Sequence, residues 1–166
     1  MGRWTVFCSP RTKRSTPVLK SVTMSRMRKP PGYPFEPKSN AYLEAGQYWA
    51  VPLSDGRFAC GRVLDLPRPE DEMSARSRAF LAGLMDWVAV SPPDSEAIAG
   101  SSVLRQGWAH VLTIQKTGRV VLGLLNLDED GITPKRPAPT WGYGVIVRLA
   151  EAAFVTRTLP PQPPEG

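Results

Sequence analysis

The sequence predicts an α+β protein, mainly β: a small curled antiparallel sheet or partly open barrel of about five strands with one or two short helices. Three observations carry this. Residues 46–65 read as a hairpin, with apolar residues at period two on either side of Ser54-Asp55-Gly56. A second pair of apolar runs, 106–115 and 119–125, flanks the turn Lys116-Thr117-Gly118. Helical spacing is confined to two short stretches, after Met73 and after Thr140.

In the hairpin, Tyr48, Ala50 and Pro52 share one face of the first strand, and Trp49, Val51 and Leu53 share the other. The second strand sets Phe58, Cys60, Arg62 and Leu64 against Arg57, Ala59, Gly61, Val63 and Asp65. Gly61 implies a bend or a close approach at that point, and Pro52 implies an edge or a bulge. Pro67 to Glu72 is a charged loop. Met73, Ser77, Phe80, Leu81, Leu84 and Met85 recur at helical spacing, so a short helix is expected up to about Gly83, then a strand through Val90. Asp94 to Gly100 is loop with room for one helical turn. Residues 106–115 are expected as a strand with Trp108, His110, Leu112 and Ile114 facing one way, and 119–125 as its return. Leu127 to Gly131 forms an acidic turn, and Pro134 to Pro139 is irregular. Thr140 is placed to cap a last helix whose stripe is Trp141, Val145, Leu149 and Ala153. A strand through Tyr143 to Leu149 competes with it, because Gly142 and Gly144 are poor helix residues; the helix is preferred.

The 166 residues divide into a basic leader, 1–40, one domain, 41–156, and a proline-rich tail, 157–166. The formal charge of +6 is unevenly placed. Residues 1–40 hold nine Lys/Arg against one acid, a balance of +8; the rest holds twelve against fourteen, a balance of −2. The basic character belongs to the leader, which reads as disordered through charge repulsion and Pro30-Pro31-Gly32. A nucleic-acid or anionic-membrane arm is the functional reading of that leader. A solvated or spurious extension is preferred, because few aromatics interleave the charges. No apolar run approaches the ~20 residues of a membrane helix, and the basic start lacks an apolar signal-peptide core. Cys8 and Cys60 build neither a disulfide framework nor a metal site, so a reduced, cytoplasmic protein is expected.

No catalytic arrangement emerges. His110, the single histidine, lies beside Trp108 and Leu112 in a predicted strand, where a hydrogen-bonded structural histidine is commoner than a general base. Gly142-x-Gly144 lacks the third glycine of a phosphate-binding turn, and Cys60 reads as a small core residue. No cofactor is called for. Two acidic runs remain, Glu70, Asp71, Glu72 and Asp128, Glu129, Asp130. They are either solvated loops or a surface that docks a basic partner. The tryptophans Trp4, Trp49, Trp87, Trp108 and Trp141 read mostly as core, with one or two free to anchor an interface.

The stretches GQYWAVPLSDGRFACGRVLD, FLAGLMDW and QGWAHVLTIQKTGRVVLG, in this order, resemble the immunity protein 26 family of bacterial polymorphic toxin systems. The resemblance covers residues 43–155 and rests on structural residues. It implies a small, mainly β protein that binds a cognate toxin, a basic nuclease being one candidate, inside the producing cell and occludes it. It assigns no binding residue. The leader departs from the family pattern and puts the true start in question. Two readings follow. One is a toxin-neutralising binder that uses the acidic loops; the other is a nucleic-acid-binding small barrel that uses the leader. The native chain is expected to begin at Met24 or Met27, which intact-mass measurement checks; a mass that includes Met1 or Gly2 defeats the expectation.

Overall fold

The computed structural model describes residues 31–71 and 78–156. The expectations for the leader up to Pro30, for Cys8 and Trp4, for Met73 to Ser77 and for the tail lie outside them. Five antiparallel strands form one open sheet: β1 (Gln47–Pro52), β2 (Phe58–Asp65), β3 (Ala79–Ala89), β4 (Val103–His110) and β5 (Gly123–Leu124), in the order β4-β3-β2-β1-β5. The sheet does not close into a barrel, so β4 and β5 remain as edges. Short helices α1 (Ser95–Ile98), α2 (Leu112–Gln115) and α3 (Val145–Ala150) complete the fold, α3 running on into one wide turn, Glu151–Val155.

The hairpin forms as its period predicts. Trp49 pairs with Gly61 and Val51 with Ala59, and the two strands bury opposite faces in separate clusters. The first face gathers Trp49, Val51, Ala59, Val63, Phe80, Leu84 and Ala109. α2 and α3 cover it through Ile114, Ile146 and Ala150, and Phe35 joins from the extended approach. The second face carries Tyr48, Cys60, Leu64, Leu81, Met85 and Trp108, under Ile98 of α1 and Leu127 of the loop after β5. A sheet covered on both faces favours near-continuous apolar runs in its central strands, and β3 is buried and apolar from Ala79 to Met85.

That explains the first correction. Phe80, Leu81, Leu84 and Met85 match helical spacing, yet Ala79 to Gly83 belong to β3, paired to β2 and β4. A continuous apolar run satisfies both templates, and pairing on two sides decides between them. A second correction concerns 106–115. The strand ends at His110, where the ring Nδ1 accepts the Leu112 N–H at 3.0 Å and the chain turns into α2. Trp108 and Ile114 therefore reach opposite faces instead of one. The expected return strand shrinks to Gly123–Leu124, preceded by a single bridge from Val121 to Phe35. Arg119 adopts a left-handed φ of 68°, which interrupts the extended path.

The last helix exists but starts later than expected. Thr140 bridges Trp108 instead of capping, Gly144 holds the N-cap position without a side-chain bond, and Trp141 lies before the helix, against Gly107. The wide turn after α3 is tied to the hairpin turn. The Glu151 carboxylate accepts the Ser54 N–H at 2.6 Å and its hydroxyl at 2.8 Å, and Arg57 donates to the Phe154 carbonyl at 3.0 Å. Asp94 caps α1 by accepting the Ala97 N–H at 2.8 Å.

Gly61 shows why a central strand tolerates glycine. A Cβ there would fall inside the Trp49 indole, and the pairing of β2 with β3 shifts register between Ala59 and Gly61. The indole is also held by its N–H to the Thr117 hydroxyl at 3.0 Å and by an edge-on contact with Phe80, 5.8 Å between centroids. Gly61→Ala is expected to cost about 1–3 kcal/mol by overpacking. Gly142→Ala, at a site with nothing within 4 Å, should stay within about 0.5 kcal/mol of the parent. Urea unfolding midpoints check both; equal midpoints for the two variants would refute the Trp49–Gly61 account.

Candidate functional site

The loops after β2 and β5 carry the two acidic runs, and the loop after β5 lies on the second face of the sheet. Leu127 and Ala138 pack with Leu64, Leu81 and Trp108, which fixes the segment 127–138 as the cover of that face. Arg136 joins the first acidic run to the same layer. Its Nη1 meets Asp71 at 2.7 Å, its Nε lies 3.2 Å from Asp65, its Nη2 donates to the Leu66 carbonyl at 3.1 Å, and its guanidinium stands 5.8 Å from the Trp108 ring centroid. Asp71 also accepts the Arg68 N–H at 2.6 Å. That bond, then the Arg136 contact, holds its carboxyl below the usual range.

The second run is held from beneath. Arg62 projects from β2 into the second face with no exposed side-chain area. Its Nη1 meets Asp130 Oδ2 at 2.5 Å and its Nη2 donates to the Leu125 carbonyl at 2.5 Å. Asp130 Oδ1 accepts the Gly100 N–H at 2.7 Å, so one carboxylate ties the loop after α1 to the loop after β5. Burial pushes the Asp130 carboxyl upward. The Gly100 N–H and the Arg62 guanidinium outweigh that and set it below the ordinary value of 3.8. Gly131 then turns the chain with a left-handed φ of 64°.

The six acids of the two runs thus divide. Asp130 faces inward, and Asp71 is engaged by Arg136 and Arg68. Glu70, Asp128 and Glu129 are exposed and carry no ion pair among the described residues. Glu72 lies outside the described residues. Among the tryptophans, Trp49, Trp108 and Trp141 are core and Trp87 is half-buried. The exposed aromatics among the described residues are instead Tyr33 and Tyr143, the latter with the Lys116 ammonium 5.4 Å from its ring centroid.

His110 serves the turn into α2. Partial burial and then the nearby Arg78 lower its pKa, which favours the neutral ring whose Nδ1 caps Leu112. Cys60 lies fully buried beside Tyr48, Met85 and Ile98, and burial pushes its thiol far above the ordinary value. Among the described residues no group of three or more His, Cys, Asp or Glu could hold a metal ion, and no helix is long and apolar enough to cross a membrane.

Sequence reasoning missed Arg62, Arg136 and Gln47 as organising residues. The signal for Arg62 was present: a cation in register with Phe58, Cys60 and Leu64 on an otherwise apolar face requires a buried acid. Gln47 is fully buried, its amide bonded to Glu44, Tyr33 and Tyr42; its placement at the start of a strand gave no comparable signal.

Removing one partner of a buried ion pair costs about 3–5 kcal/mol, so Asp130→Ala should destabilise by that order. Arg62→Met combined with Asp130→Leu should recover most of the loss. Because the folded Asp130 pKa is depressed, its contribution is full above 3.8 and fades as pH falls below that value. Unfolding measured between roughly pH 7 and pH 2 should show wild type losing more stability on acidification than Asp130→Asn; parallel pH profiles would contradict the pairing. Searched against protein-family models, curated proteins and solved structures, the chain gives no match.

Proposed function

We propose that this protein is a toxin-neutralising binder of the immunity type, acting on a basic toxin inside the cell that makes it. The observation that carries the reading is a set of exposed carboxylates, Glu70, Asp128 and Glu129, on two loops that are held by the buried Arg62 and the half-buried Arg136. Loops already ordered lose little entropy on binding, so their charge is available for recognition. Complementary charge speeds encounter and selects among partners. The resemblance of residues 43–155 to immunity protein 26 sequences points the same way.

Co-expression with a toxin domain from a gene adjacent to this one should restore growth. Glu70→Lys, Asp128→Lys and Glu129→Lys together should slow association by about tenfold or more at low salt, with the fold unchanged by circular dichroism. Failure to rescue growth from any adjacent toxin ends the proposal. The rival, nucleic-acid binding by the leader, draws on the +8 balance of residues 1–40. It requires steeply salt-dependent binding that disappears when residues 1–30 are deleted.

A further inference from the structure

β4 is an edge strand whose two halves differ. Around Trp108 the edge is taken: Trp108 donates its N–H to the Pro139 carbonyl at 2.8 Å and accepts the Trp141 N–H at 2.7 Å. Before Gln106 no strand pairs with its outer side, away from β3, among the described residues. There the register slips, Arg105 standing opposite Leu84 and Val103 opposite Met85, so that Leu104 has no opposite residue. An open groove of about 360 Å³ runs under this segment, lined by Leu84, Leu104, Arg105, Leu149, Ala152 and Ala153. A second hollow of about 280 Å³ shares Leu104 and Arg105 and adds Val103, Gln106, Thr133 and Lys135. Arg105 and Lys135 are exposed and have no ion pair among the described residues.

We propose that this half of the β4 edge docks an extended segment of a partner protein that alternates apolar side chains with carboxylates. An extended chain projects alternate side chains to opposite sides, and the two hollows sharing Leu104 and Arg105 offer it two places to put them. The apolar lining from Leu84, Leu104, Leu149 and the alanines takes the apolar positions. The cations Arg105 and Lys135 select the carboxylates. The same charge disfavours a second copy, since a two-fold pairing centred on Arg105 would bring two guanidinium groups together. The bulge and Arg105 also guard the edge against indiscriminate pairing, so entry is conditional on a carboxylate facing Arg105. This surface is opposite in charge to the exposed carboxylates Glu70, Asp128 and Glu129, and it does not rest on the toxin reading.

The test titrates the full ¹⁵N-labelled chain with the peptide acetyl-Thr-Val-Glu-Leu-Glu-Val-Thr-amide. Saturable amide shifts are expected at residues 103–106 and 152–153. Arg105→Glu should weaken binding by about tenfold and admit the same peptide with lysine in place of glutamate. Substitution of an exposed residue leaves the fold intact, which the dispersion of the remaining amides checks. Shifts confined to other residues, or equal binding of the lysine peptide by the unmodified chain, would overturn the proposal. A concentration-dependent dimer abolished by Arg105→Glu would also overturn it, by assigning the edge to a second copy.

Discussion

Arg62 puts a permanent charge where the sheet's second face is otherwise Tyr48, Cys60, Leu64, Leu81 and Met85. A buried guanidinium without a counter-charge would cost several kcal/mol. The chain meets that cost by bringing Asp130 and the Leu125 carbonyl onto it, and Asp130 in turn holds Gly100. Two loops far apart in sequence, at Gly100 and at Leu125 to Asp130, are thereby fixed over one strand. Since charge-assisted bonds are directional, they specify which loop lies there more sharply than apolar contact could. The layer that covers the second face owes its position to this contact and to the Arg136 contacts at its other end.

The first face is organised by shape. Trp49 lies across Gly61 and Trp141 against Gly107, each indole entering space that a side chain would fill. The C-terminal helix is then laid over the sheet and clipped to the hairpin turn by Glu151 and Arg57. With helices on one side and loops on the other, the sheet buries both faces without closing, and the cost is two edges. β5 is only two residues long, and β4 is guarded by a bulge, by Arg105 and by the strap 139–141.

Exposed carboxylates stand on the loops at Glu70, Asp128 and Glu129, and exposed cations stand by the β4 edge at Arg105 and Lys135. The groups with chemical potential are turned inward or put to structural use. His110 caps a turn, Cys60 fills core, and Asp130 neutralises Arg62. Such a distribution suits a scaffold that presents surfaces, and it is the physical ground for reading the protein as a binder.

By itself the sequence determined what depends on neighbours along the chain. The hairpin and its two faces and the turns at Asp55-Gly56 and Asp128–Gly131 follow from period and turn chemistry, whereas the stretch that holds α3 fitted helix and strand alike. The acidic runs were legible as loops for the same reason. Tertiary structure decided the rest. Whether Ala79–Gly83 is helix or strand depends on pairing with β2 and β4, because an all-apolar run fits either period. Which acids stay exposed depends on where the arginines reach: Asp130 looked like Asp128 and Glu129 until Arg62, 68 positions away, claimed it. Local pattern fixes an element's faces, but long-range charge pairing and strand pairing act between residues whose distance in sequence carries no information about their distance in space.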